Sequence, residues 1–188
     1  MPNTEKKFAA LVADAFQDSE FFLPKIEIHK AGYEIEVISI GTDPVDMWAF
    51  FESIGRLKVD KAIASADPSD YAGVLIPGGA KSPATLAESD EVLSFVRAIG
   101  ESGKLIAPIC RGALLAAKAG VAKGRKITGF RDDSRWPELA IWQTVEEHGG
   151  IWQDDQPAVI DGNLISSRHP DDTPAFTQAI MDWLRDRA

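Results

Sequence analysis

The sequence predicts an α/β domain in which a mostly parallel β-sheet is covered by helices on both faces. Three short apolar runs, Phe8–Ala13, Gly73–Pro77 and Leu105–Ile109, lack the alternation of half-exposed strands and are typical of strands buried on both sides. Segments with the apolar spacing of helices separate these runs. The chain also opens with a strand–helix–strand unit, a connection that is almost always right-handed. Alternation of this kind indicates parallel strands with helices packed on both faces.

Each element is predicted from its own local pattern. Strands are predicted over Phe8–Ala13, Glu34–Ile40, Gly73–Pro77, Leu105–Ile109, Lys126–Gly129, Val159–Ile160 and Leu164–Ser166, with Leu57–Ala64 as an extra strand or a hairpin arm. The first helix begins within Phe16–Glu20 and ends near Ala31, followed by Gly32 as its C-cap. Further helices are predicted over Pro44–Ile54, Asp90–Gly103, Gly112–Ala119, Pro137–His148 and Ala175–Arg187. We expect one domain over residues 1–188.

The amino-acid composition and net charge disfavour some classes of binding partner and cofactor. Twenty basic and 29 acidic residues give a net charge of −9, which disfavours nucleic acid and anionic membranes as partners. The polar segment Met1–Lys7 does not resemble a signal peptide, and no apolar run is long enough to span a bilayer, so we expect a cytoplasmic protein. A single cysteine cannot form an internal disulfide, and three dispersed histidines indicate no metal site. No cofactor is expected, because Gly78-Gly79 lacks the pattern of a phosphate-binding loop.

Cys110 lies between a predicted buried strand and a helix rich in alanine and leucine. This is the arrangement of a nucleophile elbow, in which a tight turn projects a side chain from the edge of the sheet. Gly112 would let the helix pack close to the turn. A thiol at a helix N-terminus is expected to have a lowered pKa, which favours the thiolate. A lone cysteine is more often a small buried apolar residue, but the strand–Cys–x–Gly–helix context favours a functional one.

Two other features are predicted at the same edge of the sheet. The pair Gly78-Gly79 follows a buried strand, where its backbone N–H groups could face an oxyanion, although such a pair is more often a simple tight turn. Glu20 follows the first strand together with Asp18. An acidic residue at a helix start usually interacts with the helix dipole or caps the helix. Ligands bind at the carboxyl ends of parallel strands, so Cys110, Gly79 and Glu20 are predicted to meet there.

Four segments carry a resemblance to the ThiJ/PfpI superfamily: Ala15–Glu20, Leu75–Gly79, Ala107–Gly112 and Val159–Phe176. The resemblance implies a flavodoxin-like three-layer sandwich akin to class I glutamine amidotransferases, assembled as homodimers or higher homo-oligomers. It implies that Cys110 is the reactive cysteine and that Glu20 is a protonated acid donating a hydrogen bond to its sulfur. It also implies that the backbone N–H groups of Gly79 and Arg111 form the oxyanion site.

The sequence departs from this family at position 111. Members of the PfpI type carry histidine after the cysteine as a general base, whereas Arg111 cannot shuttle a proton at physiological pH. Arg111 could pair with a carboxylate such as Glu138, Asp132 or Asp133, at a subunit interface. It could instead bind a substrate carboxylate or favour the thiolate.

Another histidine could take the place of the missing one. His29 and His148 are expected near helix ends with no functional role. His169 is a possible pocket residue, because the family places its loop near the cysteine, although a surface position is the commoner reading. The segment between Phe130 and Gly149 holds Trp136 and Trp142, which could wall the pocket, pack at an oligomer interface or fill the core.

These features leave more than one function open. The first is an enzyme in which Cys110 attacks a reactive carbonyl, free or as a protein adduct, in a glyoxalase, deglycase or related hydrolase reaction. Peptide cleavage is disfavoured, because Arg111 is a poor proton donor for the leaving amine. The alternative is a stress-response redox sensor without turnover, in which Cys110 is oxidised to sulfenic or sulfinic acid. A chaperone-like stress protein is a weaker alternative.

Overall fold

The computed structural model describes residues 7–131, 134–135 and 137–187, in which strands and helices alternate. The strands are β1 (Lys7–Leu11), β2 (Phe16–Gln17), β3 (Glu34–Ser39), β4 (Val45–Ala49), β5 (Glu52–Leu57), β6 (Lys61–Ala62), β7 (Gly73–Ile76), β8 (Leu105–Pro108), β9 (Lys126–Ile127), β10 (Ile151–Trp152), β11 (Ala158–Asp161) and β12 (Leu164–Ser167). The helices are α1 (Asp18–Lys30), α2 (Ser82–Leu86), α3 (Asp90–Glu101), α4 (Gly112–Lys118), α5 (Trp142–Glu147) and α6 (Thr173–Arg185). None of the described helices has the length and apolar character needed to cross a membrane.

The central sheet has seven strands in the order β11-β12-β8-β7-β1-β3-β6. All neighbouring strands are parallel except β11 and β12, which form an antiparallel hairpin at one edge. The parallel sheet predicted from the apolar runs is therefore confirmed. Two smaller sheets, β2-β4-β5 and β9-β10, lie beside it.

Helices cover both faces of the central sheet, so the molecule has three layers. Successive residues of β1 point to opposite sides: Phe8 and Ala10 pack with α1 and α6, while Ala9 and Leu11 pack with α3 and α4. This alternation is the period of two that a strand imposes on its side chains. Because both sides are apolar, each strand is a continuous hydrophobic run, as the sequence predicted.

The predicted helix over Pro44–Ile54 is wrong. This segment is the antiparallel hairpin β4–β5, in which Ala49 pairs with Glu52 across a turn of two residues. Phe50 occupies that turn with a positive φ of 57°, a conformation that hairpin turns usually give to glycine or asparagine. The turn holds Phe50 and Phe51 and not the glycine or asparagine typical of hairpins, so the local sequence carries no hairpin signal.

The predicted helix over Pro137–His148 is only partly present. Residues Pro137–Leu139 form a 3-10 turn, and α5 starts at Trp142. The carbonyl of Leu139 accepts a hydrogen bond from the Arg111 guanidinium at 3.0 Å. This hydrogen bond therefore lies where the 3-10 turn ends and before α5 begins, and its donor comes from another part of the chain. The segment predicted over Leu57–Ala64 as an extra strand or a hairpin arm holds the last residue of the hairpin arm β5, the short strand β6 paired with β3, and the start of a 3-10 turn at Ile63.

Candidate active site

Cys110 lies directly between β8 and α4 at the carboxyl edge of the central sheet. Its φ is 56°, a left-handed conformation that is rare for a residue with a side chain and is often found at functional sites. Its backbone N–H donates to the Ser167 carbonyl at 2.9 Å, which ties the turn to the end of β12. Gly112 allows the tight turn, because a Cβ there would overlap the carbonyl oxygen of Ile76.

Glu20 is the acidic group next to this cysteine. It lies in the first turn of α1 and is completely buried. Its Oε2 accepts a hydrogen bond from the Gly78 N–H at 2.7 Å. Its Oε1 has no hydrogen-bond partner among the described residues, and the Cys110 side chain lies close enough to act on the Glu20 pKa. The structure thus brings Glu20 and Cys110 together, from positions 90 residues apart in the chain.

Burial raises the pKa of the Glu20 carboxyl to about 8. The Gly78 N–H and the Cys110 side chain oppose this rise, and the nearby charge of Asp18 adds to it. At neutral pH the carboxyl is therefore mostly protonated, because a buried carboxylate loses the solvation that water provides. A protonated Glu20 has a hydrogen to donate, and the resemblance implies that the Cys110 sulfur accepts it.

Burial also raises the pKa of the Cys110 thiol, and an ionised Glu20 would raise it further. The lowered thiol pKa expected from the helix N-terminus is therefore wrong for this geometry. Backbone N–H groups of Arg111 and Gly79 donate toward the sulfur and act in the lowering direction. Their effect is smaller than that of burial, because Cys110 is only 8% exposed and a charged sulfur would be poorly solvated.

The two glycines before α2 have different roles. Gly78 lies against the Cys110–Glu20 pair: a Cβ there would be 2.7 Å from the Cys110 Cβ and 2.8 Å from Glu20 Oε2. Gly79 has a φ of 109° and contacts the backbone of Ala15 and Phe16 so closely that no side chain fits. This close approach directs the Gly79 N–H at the sulfur, and Gly78 leaves room for the carboxyl.

Arg111 holds backbone carbonyls in place of a carboxylate. Its Nε donates to the Leu139 carbonyl at 3.0 Å, and its Nη1 donates to those of Gly79, at 3.4 Å, and Ala80. No ion pair joins it to a carboxylate of the described residues, Glu138 included. The proposed partners Asp132 and Asp133 lie outside the described residues. The side chain thus links the turn after β7 to the loop before α5, a role that sequence reasoning missed.

A cavity of about 490 Å³ opens over the cysteine. Its lining comes from six parts of the chain: Gln17, Glu20, Phe50, Phe51, Gly79, Ala80, Cys110, Arg111, Phe130, Arg135, Leu139, His169, Pro170 and Asp171. His169 therefore does lie at the site. Asp18 and Gly78 are not part of the lining: Asp18 accepts a hydrogen bond from Gln17 Nε2 at 2.9 Å, and Gly78 is placed behind Glu20.

Several lining residues had no signal in the sequence. Phe50 and Phe51 reach the cavity only because the segment is a hairpin, and Gln17 positions that hairpin by accepting the Phe50 N–H at 2.9 Å. Phe130 and Leu139 come from the segment between Phe130 and Gly149, which also holds Trp136 and Trp142. Trp142 does not line the cavity, and the centroid of its ring lies 4.6 Å from Cζ of Arg131. Trp136 lies outside the described residues.

Known proteins are similar to this chain in sequence and in architecture. The model of the DJ-1/PfpI family matches residues 6–183. The chain is 34% identical to protein/nucleic acid deglycase 2 of Escherichia coli, over 95% of this chain and 98% of the relative. It is 31% identical to general stress protein 18 of Bacillus subtilis, over 95% and 98% of the two chains.

A solved structure supports the same conclusion. A two-domain protein of Anabaena variabilis with DJ-1/ThiJ/PfpI-like and ferritin-like domains superposes with a TM-score of 0.84 at 30% identity. The match covers 96% of this chain and 48% of the Anabaena protein. Matches in sequence and in architecture agree over nearly the whole chain, and we conclude that the chain belongs to the DJ-1/PfpI family.

Proposed function

We propose that this chain is a cysteine-dependent stress enzyme that acts on reactive carbonyl compounds or their adducts with proteins, with Cys110 as the nucleophile. One observation carries the proposal: the neutral carboxyl of Glu20 contacts the chain's only cysteine inside an open cavity. Relatives named as a deglycase and as a general stress protein support it.

The geometry suits addition of a thiol to a carbonyl group. A bond forms between Cys110 Sγ and the carbonyl carbon while the C=O π bond breaks, and the oxygen must gain the proton that the thiol loses. Glu20 can give its own proton to that oxygen and take the thiol proton in exchange. The N–H groups of Gly79 and Arg111 donate toward the sulfur, and in this proposal they stabilise the negative oxygen as it forms.

The redox sensor is the weaker candidate for this site. Peroxide oxidises thiolates, and sensor cysteines are accessible and have a low pKa. Cys110 is 8% exposed, and its burial raises the thiol pKa. Both properties slow a direct reaction with peroxide, whereas an enzyme can move the thiol proton within the substrate complex.

The proposal is tested by turnover of methylglyoxal and by release of amine from a methylglyoxal-modified peptide. We expect the wild-type chain to be active, Cys110→Ala to have no measurable turnover, and Glu20→Gln to lose about 100-fold in kcat/KM, a typical effect of removing a general acid. Lys118→Gln, an exposed change on α4 away from the cavity, should keep the activity.

A wild-type chain that turns over neither substrate would contradict the proposal. If mass spectrometry then showed a small excess of peroxide converting Cys110 to sulfenic and then sulfinic acid, one peroxide for each step, the redox sensor would be the better account.

A further inference from the structure

His169 is the only histidine that lines the cavity over Cys110 among the described residues. We propose that its imidazole is the base that moves the carbon-bound proton of the cysteine adduct, and that Asp172 orients the ring. This inference rests on the proposed function and assigns one step of it to a residue that the DJ-1/PfpI relationship does not supply.

The backbone brings His169 to the cysteine. β8 and β12 are parallel neighbours, and a bridge between Ile109 and Ser167 continues their pairing beyond the strand ends. The Ser167 carbonyl accepts the N–H of Cys110 at 2.9 Å, and His169 follows two residues later. Its side chain is 40% exposed and lines the same cavity as Cys110 and Glu20, so a substrate bound to the sulfur shares that cavity with the imidazole.

A carboxylate that is itself held in place adjoins the imidazole. Asp172 Oδ2 is 3.5 Å from His169 Nε2, and Arg168 holds the two Asp172 oxygens at 2.8 and 3.1 Å. Asp172 is 8% exposed, and its N–H donates to the His169 carbonyl at 3.0 Å. A carboxylate at one ring nitrogen orients the ring and leaves the other nitrogen as the basic one. That other nitrogen, Nδ1, is 3.9 Å from Asp171 Oδ2.

The other ionisable groups of the cavity are unsuited to this role. Glu20 is mostly protonated at neutral pH, so it must give up its own proton before it can accept one from the adduct. The guanidinium groups of Arg111 and Arg135 cannot accept a proton at physiological pH. The side chain of Asp171 is 91% exposed, so few neighbouring atoms hold it in place. Imidazole is the side chain suited to proton transfer in this range.

The step balances without an outside oxidant. Addition of Cys110 to the aldehyde of a 2-oxoaldehyde gives a hemithioacetal. His169 takes the proton from the thiol-bound carbon, the released pair forms a C=C bond, and the neighbouring carbonyl oxygen takes the proton of Glu20. The imidazolium then protonates the second carbon, the first hydroxyl returns its proton to Glu20, and a thioester results. Water cleaves the C–S bond, so that the products are the free thiol and a 2-hydroxy acid.

The test compares His169→Ala and His169→Gln with His148→Gln, a histidine outside the cavity whose Nδ1 contacts the Thr144 carbonyl. With methylglyoxal as the substrate, we expect the His169 variants to lose at least about 100-fold in kcat, with KM within about threefold of wild type. Mass spectrometry should show the hemithioacetal of Cys110 accumulating in His169→Ala, and added imidazole should restore part of its activity. Asp172→Asn, which keeps the shape but loses the charge, should lower kcat by a smaller factor.

These results separate the inference from the function on which it rests. Wild-type kcat in both His169 variants, or a His169→Ala protein that forms no adduct and is not rescued by imidazole, would overturn the role of His169 while leaving the enzyme intact. A wild-type chain without turnover would overturn both.

Discussion

Cys110 and Glu20 form a coupled pair in which burial disfavours the charged form of both groups. Each would repel the other if both were ionised, so the neutral pair is the resting state at pH 7. The N–H groups of Gly79 and Arg111 partly offset the burial of the sulfur. A site of this kind holds its nucleophile as a thiol and releases the proton when the substrate oxygen can receive it.

The raised pKa of Glu20 makes the stability of the fold depend on pH. The folded carboxyl keeps its proton up to a pH of about 8, whereas the unfolded one loses it near 4.5, so the folded state binds more protons between these values. Stability from this group is therefore greatest below pH 4.5 and falls as the pH rises toward 8, by about 5 kcal/mol at most. Urea unfolding of wild type and Glu20→Gln at pH 5, 7 and 9 measures the difference.

Glu20→Gln should gain stability relative to wild type at each step up in pH. The exposed carboxyl of Glu101 is the matched control, and Glu101→Gln should run parallel to wild type. A pH-independent difference between wild type and Glu20→Gln would show that the buried carboxyl titrates normally.

Gly78 is predicted to be intolerant of even one methyl group. Alanine there would place a Cβ 2.7 Å from the Cys110 Cβ and 2.8 Å from both Glu20 Oε2 and the Arg111 nitrogen. We expect Gly78→Ala to lower the free energy of unfolding by about 1–3 kcal/mol, as overpacking does, and to change the rate at which iodoacetamide alkylates Cys110. Gly41→Ala is the control, because a Cβ at that position meets nothing within 4 Å. Equal melting temperatures for the two variants would contradict the close packing of the pair.

At the scale of the elements, loops on both sides of the cavity depend on one side chain. Arg111 binds carbonyls after β7 and before α5, and Phe130 and Leu139 line the cavity between these points. The hairpin β4–β5 adds Phe50 and Phe51 to the lining. Loops and turns between the elements therefore determine much of the shape of the pocket. Such segments vary in sequence more readily than the strands of the sheet.

Arg111→Lys keeps the charge but loses the fork of donors that reaches several carbonyls. We expect it to destabilise the protein by about 1–3 kcal/mol and to raise the KM for methylglyoxal. Hydrogen exchange of the Ala140 and Ile141 amides should quicken. Arg97→Lys is the control, since the Nε of Arg97 binds one carbonyl, that of Ala119, at 3.1 Å. Unchanged exchange near residue 140 would mean that the loop holds its shape without Arg111.

At the scale of the whole molecule, one layer has apolar residues on its outer side. α1 buries Phe21 and Ile28 against the sheet, yet Phe22, Leu23 and Ile26 are between 37% and 49% exposed. Apolar side chains grouped on the exposed face of a helix are typical of a surface that another chain covers. Together with the resemblance, this favours the predicted homodimer or higher homo-oligomer, in which a second copy covers α1.

The oligomer is tested by sedimentation of wild type and of the double variant Leu23→Glu with Ile26→Glu. We expect the wild type to sediment as a dimer or larger species and the variant to shift toward monomer, because charges at a covered apolar surface disfavour association. Ile160→Glu changes an isoleucine of β11 that is also exposed and should leave the size unchanged. A monomeric wild type at micromolar concentration would contradict the prediction.

The sequence by itself determined the layers, the parallel sheet and the position of the reactive edge. Runs such as Phe8–Ala13 and Leu105–Ile109 are local signals, and parallel strands bring their carboxyl ends together whatever the loops do. Cys110, Glu20 and Gly79 follow strand ends or begin the next helix, so their meeting could be predicted.

Only the tertiary structure decided the chemistry of that edge. The thiol pKa depends on burial by distant residues, which reversed the direction expected from the local helix end. The role of Arg111, the hairpin at Phe50 and the position of His169 each depend on contacts between segments far apart in the chain. Desolvation and long-range hydrogen bonds leave no periodic pattern in a sequence, because they arise only when the chain has folded.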